Sequence, residues 1–368
     1  MIRREGFNWI DFDFEGQNQK NRLFCGDNTC SMRYVFIGLF ILYSFFGVSQ
    51  ERMIPKFADV QKDSVSAEEF TSFLQGVMDS LDVPALSIAV ASRGELVYLR
   101  AMGKKNDAED GRCKEETLFE AASLTKPFFA VLVHQLAEES FIDLDQPLYT
   151  YLPNKDLEND PRYKKITARM ILSHTSGLPN WRKDSLSLQA NPGEAYIYSG
   201  EGYEYLGQVV EKVMNMELAE VFYQRLLKPL GMKTSFFAEN EYLEKHIATG
   251  YIQGEPQDRI VADEAHPAYG LRTNARDYIK FILFISQSEL FNELKVVQKE
   301  VKPGLSVCQG IFRKDSELDP VFYHTGNNGD GFTARFEIDP KQKFSYVYFI
   351  NTNKEKEFSE ALNAYFHQ

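Results

Sequence analysis

Strand-like apolar runs lie near both ends of this chain, and helical patterns occupy the region between them. On the N-terminal side, residues 85–91 and 96–100 are two such runs around a short Gly-containing turn, a pattern typical of a β-hairpin. Near the C-terminus, residues 332–339 and 344–351 flank a proline turn and predict a second hairpin. We therefore expect a mixed α/β (α+β) fold, in which both termini contribute to one antiparallel sheet and a helical lobe of about residues 150–267 is inserted between them.

Apolar residues at helical spacing predict the elements that cover this sheet. Residues 67–81 form an amphipathic pattern, residues 124–139 a second helical stretch, and residues 358–366 a closing helix. Two further strand-like runs cover residues 305–312 and 321–325. The expected sheet is thus flanked by helices.

The first fifty residues are considered apart from the fold. Met32 and Arg33 precede an apolar run over residues 34–48 that ends in small residues, so residues 32–49 are typical of a secretory signal peptide. A bilayer span needs about 20 apolar residues, and this run is shorter. We expect residues 1–31 to be a mis-called upstream extension and the protein to be secreted or periplasmic, with no stable membrane span after cleavage. The alternative is a cytoplasmic tail on a membrane anchor.

Composition excludes one class of partner and leaves the thiols open. The 53 acidic residues outnumber the 41 basic ones, which gives a net charge of −12. No basic patch stands out, so we expect no nucleic-acid partner. Beyond the signal peptide two cysteines remain, Cys113 and Cys308. They form either one disulfide or two buried free thiols.

Ser123-Leu-Thr-Lys126 is the first candidate for chemistry. In a helix that starts near Ser123, residues three apart share a face, so the Lys126 amine can reach the Ser123 hydroxyl. Serine needs a base to become a nucleophile, and lysine can be that base only if burial lowers its pKa from about 10.4 towards 7. The alternative is that Ser123 is only a helix N-cap.

Tyr198-Ser199-Gly200 is the second candidate, in a turn just before a helical pattern. A phenol close to a lysine ammonium can ionise below its usual pKa of about 10 and accept a proton. The alternative is a buried tyrosine whose hydroxyl is satisfied by a hydrogen bond.

His324-Thr325-Gly326 is the third candidate and follows an apolar strand. A strand edge that lines a cleft can pair with an extended substrate and offer backbone N–H groups to an oxyanion. A structural histidine is the alternative. The remaining histidines show no metal-ligand spacing, and no phosphate-binding glycine loop is present, so neither a metal site nor a cofactor is expected.

Taken in order, the three motifs resemble those of the serine β-lactamase and penicillin-binding-protein superfamily. The segments 118–126, 171–179, 198–203 and 268–277 are similar to its class C β-lactamase-related branch, which includes carboxylesterases, D-aminopeptidases and DD-peptidases. The resemblance covers about residues 66–368, after a lead-in of residues 50–65. It implies a β-lactamase/transpeptidase-like fold with the active site between a helical lobe and an α/β lobe.

The same resemblance assigns roles to individual residues. It implies that Ser123 is acylated, that Lys126 and Tyr198 handle its proton, and that the backbone N–H groups of Ser123 and Asn327 form the oxyanion hole. His324, Thr325 and Gly326 would then be the substrate-binding third motif. Residues 171–181 would form one wall of the cleft.

Two departures from the family pattern bear on the substrate. The second motif usually ends in Asn and here ends in Gly200, and the third begins with His324 where true β-lactamases have Lys. In the family, the Asn amide contacts the acyl-amide side chain of a β-lactam, and Gly200 has no such group. A neutral histidine attracts the β-lactam carboxylate less than a lysine does, so both changes disfavour β-lactams.

We therefore expect a serine hydrolase that acts through an acyl-enzyme on ester or amide bonds of a small molecule or peptide, as an esterase or D-amino-acid peptidase does. A β-lactamase is the alternative within the family. A non-catalytic peptidoglycan-binding or sensor protein is the alternative from another class.

Overall fold

A computed structural model describes residues 54–55, 64–108, 111–259, 261–316 and 319–367. The signal peptide and upstream extension predicted for residues 32–49 and 1–31 lie outside the described residues, as does most of the lead-in. No helix in the described ranges is both long enough and apolar enough to cross a membrane.

The described part of the chain alternates strands and helices. Its strands are β1 Ile54–Pro55, β2 Ser64–Val65, β3 Ala85–Ser92, β4 Glu95–Gly103, β5 Phe119–Glu120, β6 Tyr251–Ile252, β7 Glu255–Pro256, β8 Arg272–Thr273, β9 Lys299–Lys302, β10 Leu305–Val307, β11 Phe312–Lys314, β12 Val321–Asn327, β13 Thr333–Asp339 and β14 Phe344–Ile350. Its α-helices are α1 Ala67–Leu81, α2 Thr125–Glu138, α3 Ala168–Leu172, α4 Gly200–Met214, α5 Leu218–Phe222, α6 Glu241–His246, α7 Ala275–Gln287, α8 Leu290–Leu294 and α9 Glu355–His367.

Within the described residues, eight strands form one antiparallel sheet in the order β4-β3-β14-β13-β12-β11-β10-β9. The two predicted hairpins, β3-β4 and β13-β14, are confirmed. They join directly, because β3 pairs with β14 from Leu86↔Ile350 to Ser92↔Phe344. The predicted antiparallel sheet, assembled from both ends of the chain, is therefore confirmed.

Helices bury both faces of the central strands. Every residue of β3 and β14 is buried, which explains their nearly continuous apolar sequence. Helices α1 and α9 pack on one face and share a core cluster with alternate residues of β3 and β14. The larger core cluster, to which α2 and α7 contribute, lies on the other face. The predicted helical lobe contains α3–α6, but β6 and β7 form a small two-stranded sheet there.

One predicted strand is wrong in detail. Residues 305–312 are two short strands, β10 and β11, separated by a turn at Gly310. Gly310 has φ +82°, and a Cβ atom there would lie 2.4 Å from the Ala130 Cβ on α2. The chain turns at this point because only glycine permits both this conformation and this approach.

The structure also decides between the two alternatives for the cysteines. Cys113 and Cys308 are free and buried thiols.

Candidate active site

Ser123 lies in a 3₁₀ turn, Ala122–Leu124, that leads into α2. The helix begins at Thr125, and no side chain caps it, so the reading of Ser123 as an N-cap is wrong. Ala122 has φ +47°, a left-handed conformation that is strained for a residue with a side chain. The sharp turn leaves the Ser123 side chain on the wall of a cleft.

Lys126 comes one turn later on the same side of the helix. Its Nζ atom lies 3.2 Å from Ser123 Oγ and donates to the Ala268 carbonyl oxygen at 2.8 Å. The side chain is 1% exposed. This burial lowers the pKa of Lys126 to about 7, although the Glu204 carboxylate opposes the shift. A neutral amine is therefore well populated near pH 7, as the sequence predicts for a base.

Tyr198 stands just before α4, whose first turn is capped by the Ser199 side chain. Its ring centroid is 4.8 Å from Lys126 Nζ, and Tyr198 lines the same cleft as Ser123. The expectation of a lowered pKa is wrong for this state of the protein. Burial raises the pKa of Tyr198 more than the Ser123 hydroxyl lowers it. Tyr198 is thus a neutral phenol, and Lys126 is the better base at rest.

The turn that carries Tyr198 is held by a histidine that the sequence did not single out. His174 Nδ1 accepts a hydrogen bond from the Ser199 N–H at 3.0 Å, and its ring centroid lies 4.2 Å from that of Tyr198. Burial, with Lys126 next in importance, keeps the pKa of His174 well below its usual value. The imidazole is therefore an uncharged acceptor that fixes the Tyr198 turn.

The third motif occupies the C-terminal half of β12. Although β12 is an interior strand of the sheet, this half is unpaired on one side. β13 pairs with β12 through Asn327, whereas β11 pairs on the other side with Val321–Tyr323 and ends before His324. At Gly326 this half of β12 packs against the Ser123 turn. A Cβ atom on Gly326 would lie 2.3 Å from the Ala121 carbonyl oxygen and 3.2 Å from Ser123 N.

His324 carries no charge here. Its Nδ1 lies 2.7 Å from the Thr325 carbonyl oxygen, which makes that nitrogen the protonated one. Burial, with Lys126 as the next cause, lowers the pKa of His324 to about 3. Thr325 and Asn327 line the cleft beside Ser123, so the structure brings all the predicted site residues to one place.

One further residue, Glu204, acts on the base from behind. Glu204, on α4, accepts a hydrogen bond from the Ala268 N–H at 3.3 Å and pairs with His266 Nδ1 at 3.0 Å. It therefore anchors the segment whose carbonyl binds Lys126. No local motif marks Glu204, because its partners lie more than 60 residues away in the chain.

The Ser123 cleft has two arms. The first, about 320 Å³, is lined beyond the candidate residues by Asn180, Trp181, Tyr269 and Asn328. The second, about 370 Å³, runs along the open edge of β12. Among the described residues no cluster of His, Cys, Asp or Glu has the arrangement of a metal site.

The chain is similar to known proteins over most of its length. Residues 70–367 match the family model described as Beta-lactamase. Protein flp of Staphylococcus aureus (strain MW2) is 24% identical over 326 residues, which are 79% of this chain and 64% of that protein. A protein from Providencia stuartii described as Beta-lactamase is 26% identical over 276 residues, 71% of this chain and 70% of its own.

A solved structure shows the same fold. The β-lactamase/D-alanine carboxypeptidase from Pseudomonas syringae superposes with a TM-score of 0.72 at 20% identity, covering 82% of this chain and 98% of its own. Because the family model covers nearly all of the described chain, the assignment does not depend on one motif. The chain belongs to the β-lactamase family and has the fold of the serine β-lactamase and penicillin-binding-protein superfamily.

Proposed function

We propose that the protein is a serine hydrolase that cleaves ester or amide bonds through an acyl-enzyme on Ser123. Membership of the β-lactamase family supports hydrolase activity in general. The observation that carries the proposal is the contact between Lys126 Nζ and Ser123 Oγ at 3.2 Å, with the lysine buried and its pKa near 7. A protein that only binds its ligand has no use for so costly a buried amine.

The proposed reaction has two halves. The neutral Lys126 amine takes the Ser123 proton while Oγ attacks the acyl carbon, and the backbone N–H groups of Ser123 and Asn327 hold the oxyanion. Tyr198 passes a proton from Lys126 to the departing alcohol or amine as the bond to it breaks. Water then attacks the acyl-enzyme and loses its proton to the same pair, which returns a proton to Ser123 Oγ as the bond from Oγ to the acyl carbon breaks and the acid leaves.

An esterase or D-amino-acid peptidase fits the two motif departures better than a β-lactamase does. Trp181 packs on Gly200, where family members usually have Asn, and His324 is uncharged. The usual contacts for the amide and carboxylate of a β-lactam are therefore missing from these two positions. We propose that the leader predicted for residues 32–49 delivers the enzyme to the periplasm or the exterior.

The test is hydrolysis of p-nitrophenyl acetate and nitrocefin by the protein and by its Ser123→Ala variant. We expect ester turnover that falls about 10³-fold or more in the variant, and slow nitrocefin turnover. Ser72→Ala, on the exposed face of α1, is the matched control and keeps the parent rate. Equal ester rates for the parent and Ser123→Ala would refute the proposal, and fast Ser123-dependent nitrocefin turnover would favour a β-lactamase.

A further inference from the structure

The walls of the Ser123 cleft carry very little charge. Among the described residues that line its two arms, Lys126 is the sole lysine, arginine, aspartate or glutamate. Its amine already bonds the Ala268 carbonyl and Ser123 Oγ. His324 is neutral in this environment. A substrate with a carboxylate or an ammonium group would thus lose hydration without gaining an opposite charge, which is costly.

The arginine on the strand next to the third motif is occupied elsewhere. Arg335 pairs across the sheet with Thr325, but its guanidinium lies 4.3 Å from the Tyr323 ring centroid and bonds Glu337 at 2.7 Å. Glu355 lies 3.6 Å from the same guanidinium, and the side chain is 8% exposed. Arg335 therefore neutralises buried carboxylates and does not present its charge to the cleft.

The first arm of the cleft is lined by two aromatic rings at nearly a right angle. Trp181 is 46% exposed, which is unusual for so large an apolar side chain. Its ring meets that of Tyr269 at 84°, with 5.7 Å between centroids, and Tyr269 stacks on His266 at 4.7 Å. We call Trp181 and Tyr269 the aromatic corner. Such a corner suits a flat apolar group, which gains one stacked and one edge contact.

The corner is held in place before any ligand arrives. A Cβ atom on Gly200 would lie 2.6 Å from Cη2 and 2.7 Å from Cζ2 of Trp181, so the indole occupies the space above this glycine. The Asn180 carbonyl accepts hydrogen bonds from the N–H groups of Gly200 and Glu201, both at 3.0 Å. Gly200 is therefore needed to seat Trp181.

We infer that the enzyme selects uncharged esters that bear an aromatic or other flat apolar group, and that Trp181 and Tyr269 bind this group. The inference rests on the proposed function, because it names the substrate class of the Ser123 site. It also gives a role to Gly200, which stands where the family usually has Asn. In this protein the aromatic surface of Trp181 takes the place of the asparagine amide contact.

The test compares four ethyl or benzyl esters by titrating the acid released: ethyl acetate, ethyl phenylacetate, benzyl acetate and monoethyl succinate. We expect one or both ring-bearing esters to exceed ethyl acetate in kcat/KM by about tenfold or more. Monoethyl succinate, which carries a carboxylate, should not exceed ethyl acetate. Ser123-dependent turnover without a ring preference would overturn the inference and leave the proposed function standing.

Variants connect the preference to the corner. Trp181→Ala and Gly200→Asn should abolish the ring preference, so that kcat/KM for the ring-bearing esters falls to the value for ethyl acetate in the same variant, whereas Trp181→Phe should retain most of the preference. Phe141→Ala removes a similarly exposed aromatic ring outside the cleft and serves as the control. A preference that survives Trp181→Ala would contradict the inference.

Binding to the inactive protein separates this inference from catalysis. In Ser123→Ala, phenylacetamide should quench tryptophan fluorescence at lower concentration than acetamide or phenylacetate does, and Trp181→Phe in that background should remove the effect. If no ester is hydrolysed but phenylacetamide still binds in this way, the proposed function fails and the aromatic corner stands. If phenylacetamide shows no advantage over acetamide, the aromatic corner is refuted.

Discussion

Lys126 shows how a single side chain acquires its chemistry from its surroundings. The aromatic rings of Tyr198 and Tyr203 lie 4.8 and 5.5 Å from its Nζ atom, and two uncharged histidines, His174 and His324, lie nearby. These groups offer little compensation for a positive charge, so burial dominates. Glu204 acts in the opposite direction and keeps the amine from losing its proton at still lower pH.

Replacing Glu204 by Gln should move the acid limb of the pH profile of kcat/KM to lower pH. The acid limb reports protonation of the base, and removal of a negative charge lowers the pKa of Lys126 further. The plateau rate should fall by less than about 100-fold, because the amide can still hold the Ala268 segment.

Stopped assays across pH 5–9 with p-nitrophenyl acetate, taken as kcat/KM, measure this limb. Glu211→Gln is the matched control on the same helix, where the carboxylate accepts a hydrogen bond from the Leu218 N–H. An unmoved limb, or one that moves to higher pH in Glu204→Gln, would show that this carboxylate does not act on the base.

At the scale of elements, the site depends on how closely β12 approaches the Ser123 turn. β11 ends early, so the second half of β12 is left open, and Gly326 lets its backbone come beside Ser123 N. This proximity supports the proposal that Asn327 and Ser123 share the oxyanion. A strand that is unpaired on one side is also free to pair with an extended substrate.

Gly326→Ala should therefore lower kcat/KM about 100-fold or more and reduce the free energy of unfolding by about 1–3 kcal/mol, because the new methyl group separates the strand from the turn. Gly76→Ala is the contrasting control. Gly76 lies on the exposed face of α1 with no atom within 4 Å of an added Cβ, and this change should raise stability by about 0.5–1 kcal/mol with activity unchanged. A fully active Gly326→Ala enzyme would refute the close-approach argument.

For the whole molecule, folding must bring the two ends of the described chain together around the inserted segment. Asn351 is a point where these parts meet. Its Oδ1 atom accepts from the Ala85 N–H at 2.7 Å, and its Nδ2 donates to the Thr249 carbonyl at 2.9 Å. The residue is fully buried and so joins β3, the end of β14 and the insertion.

Asn351→Ala should lower the free energy of unfolding by about 2–5 kcal/mol, because it leaves a buried N–H and a buried C=O without their partner. Urea unfolding followed by circular dichroism measures the change as a lower midpoint. Asn292→Ala, at an exposed position on α8, should change stability by no more than about 0.5 kcal/mol. A loss below about 1 kcal/mol for Asn351→Ala would contradict the proposed joint.

The amino-acid sequence by itself determined the hairpins, the helices that cover the sheet and the three motifs. Each of these depends on residues close together in the chain: the apolar runs of β13 and β14 around a proline turn, or the three-residue spacing of Ser123 and Lys126. Local spacing also predicted that the Lys126 amine can reach the Ser123 hydroxyl and act as its base.

Tertiary structure alone decided what surrounds these motifs. Burial raises the pKa of Tyr198, the Glu204 carboxylate acts on Lys126, and Trp181 packs on Gly200. Each of these effects depends on residues that are distant in sequence. The break between β10 and β11 likewise depends on Gly310 meeting α2. Burial and close packing are properties of the folded chain, so a linear pattern can name the reacting groups but not the environment that sets their pKa values and their substrate.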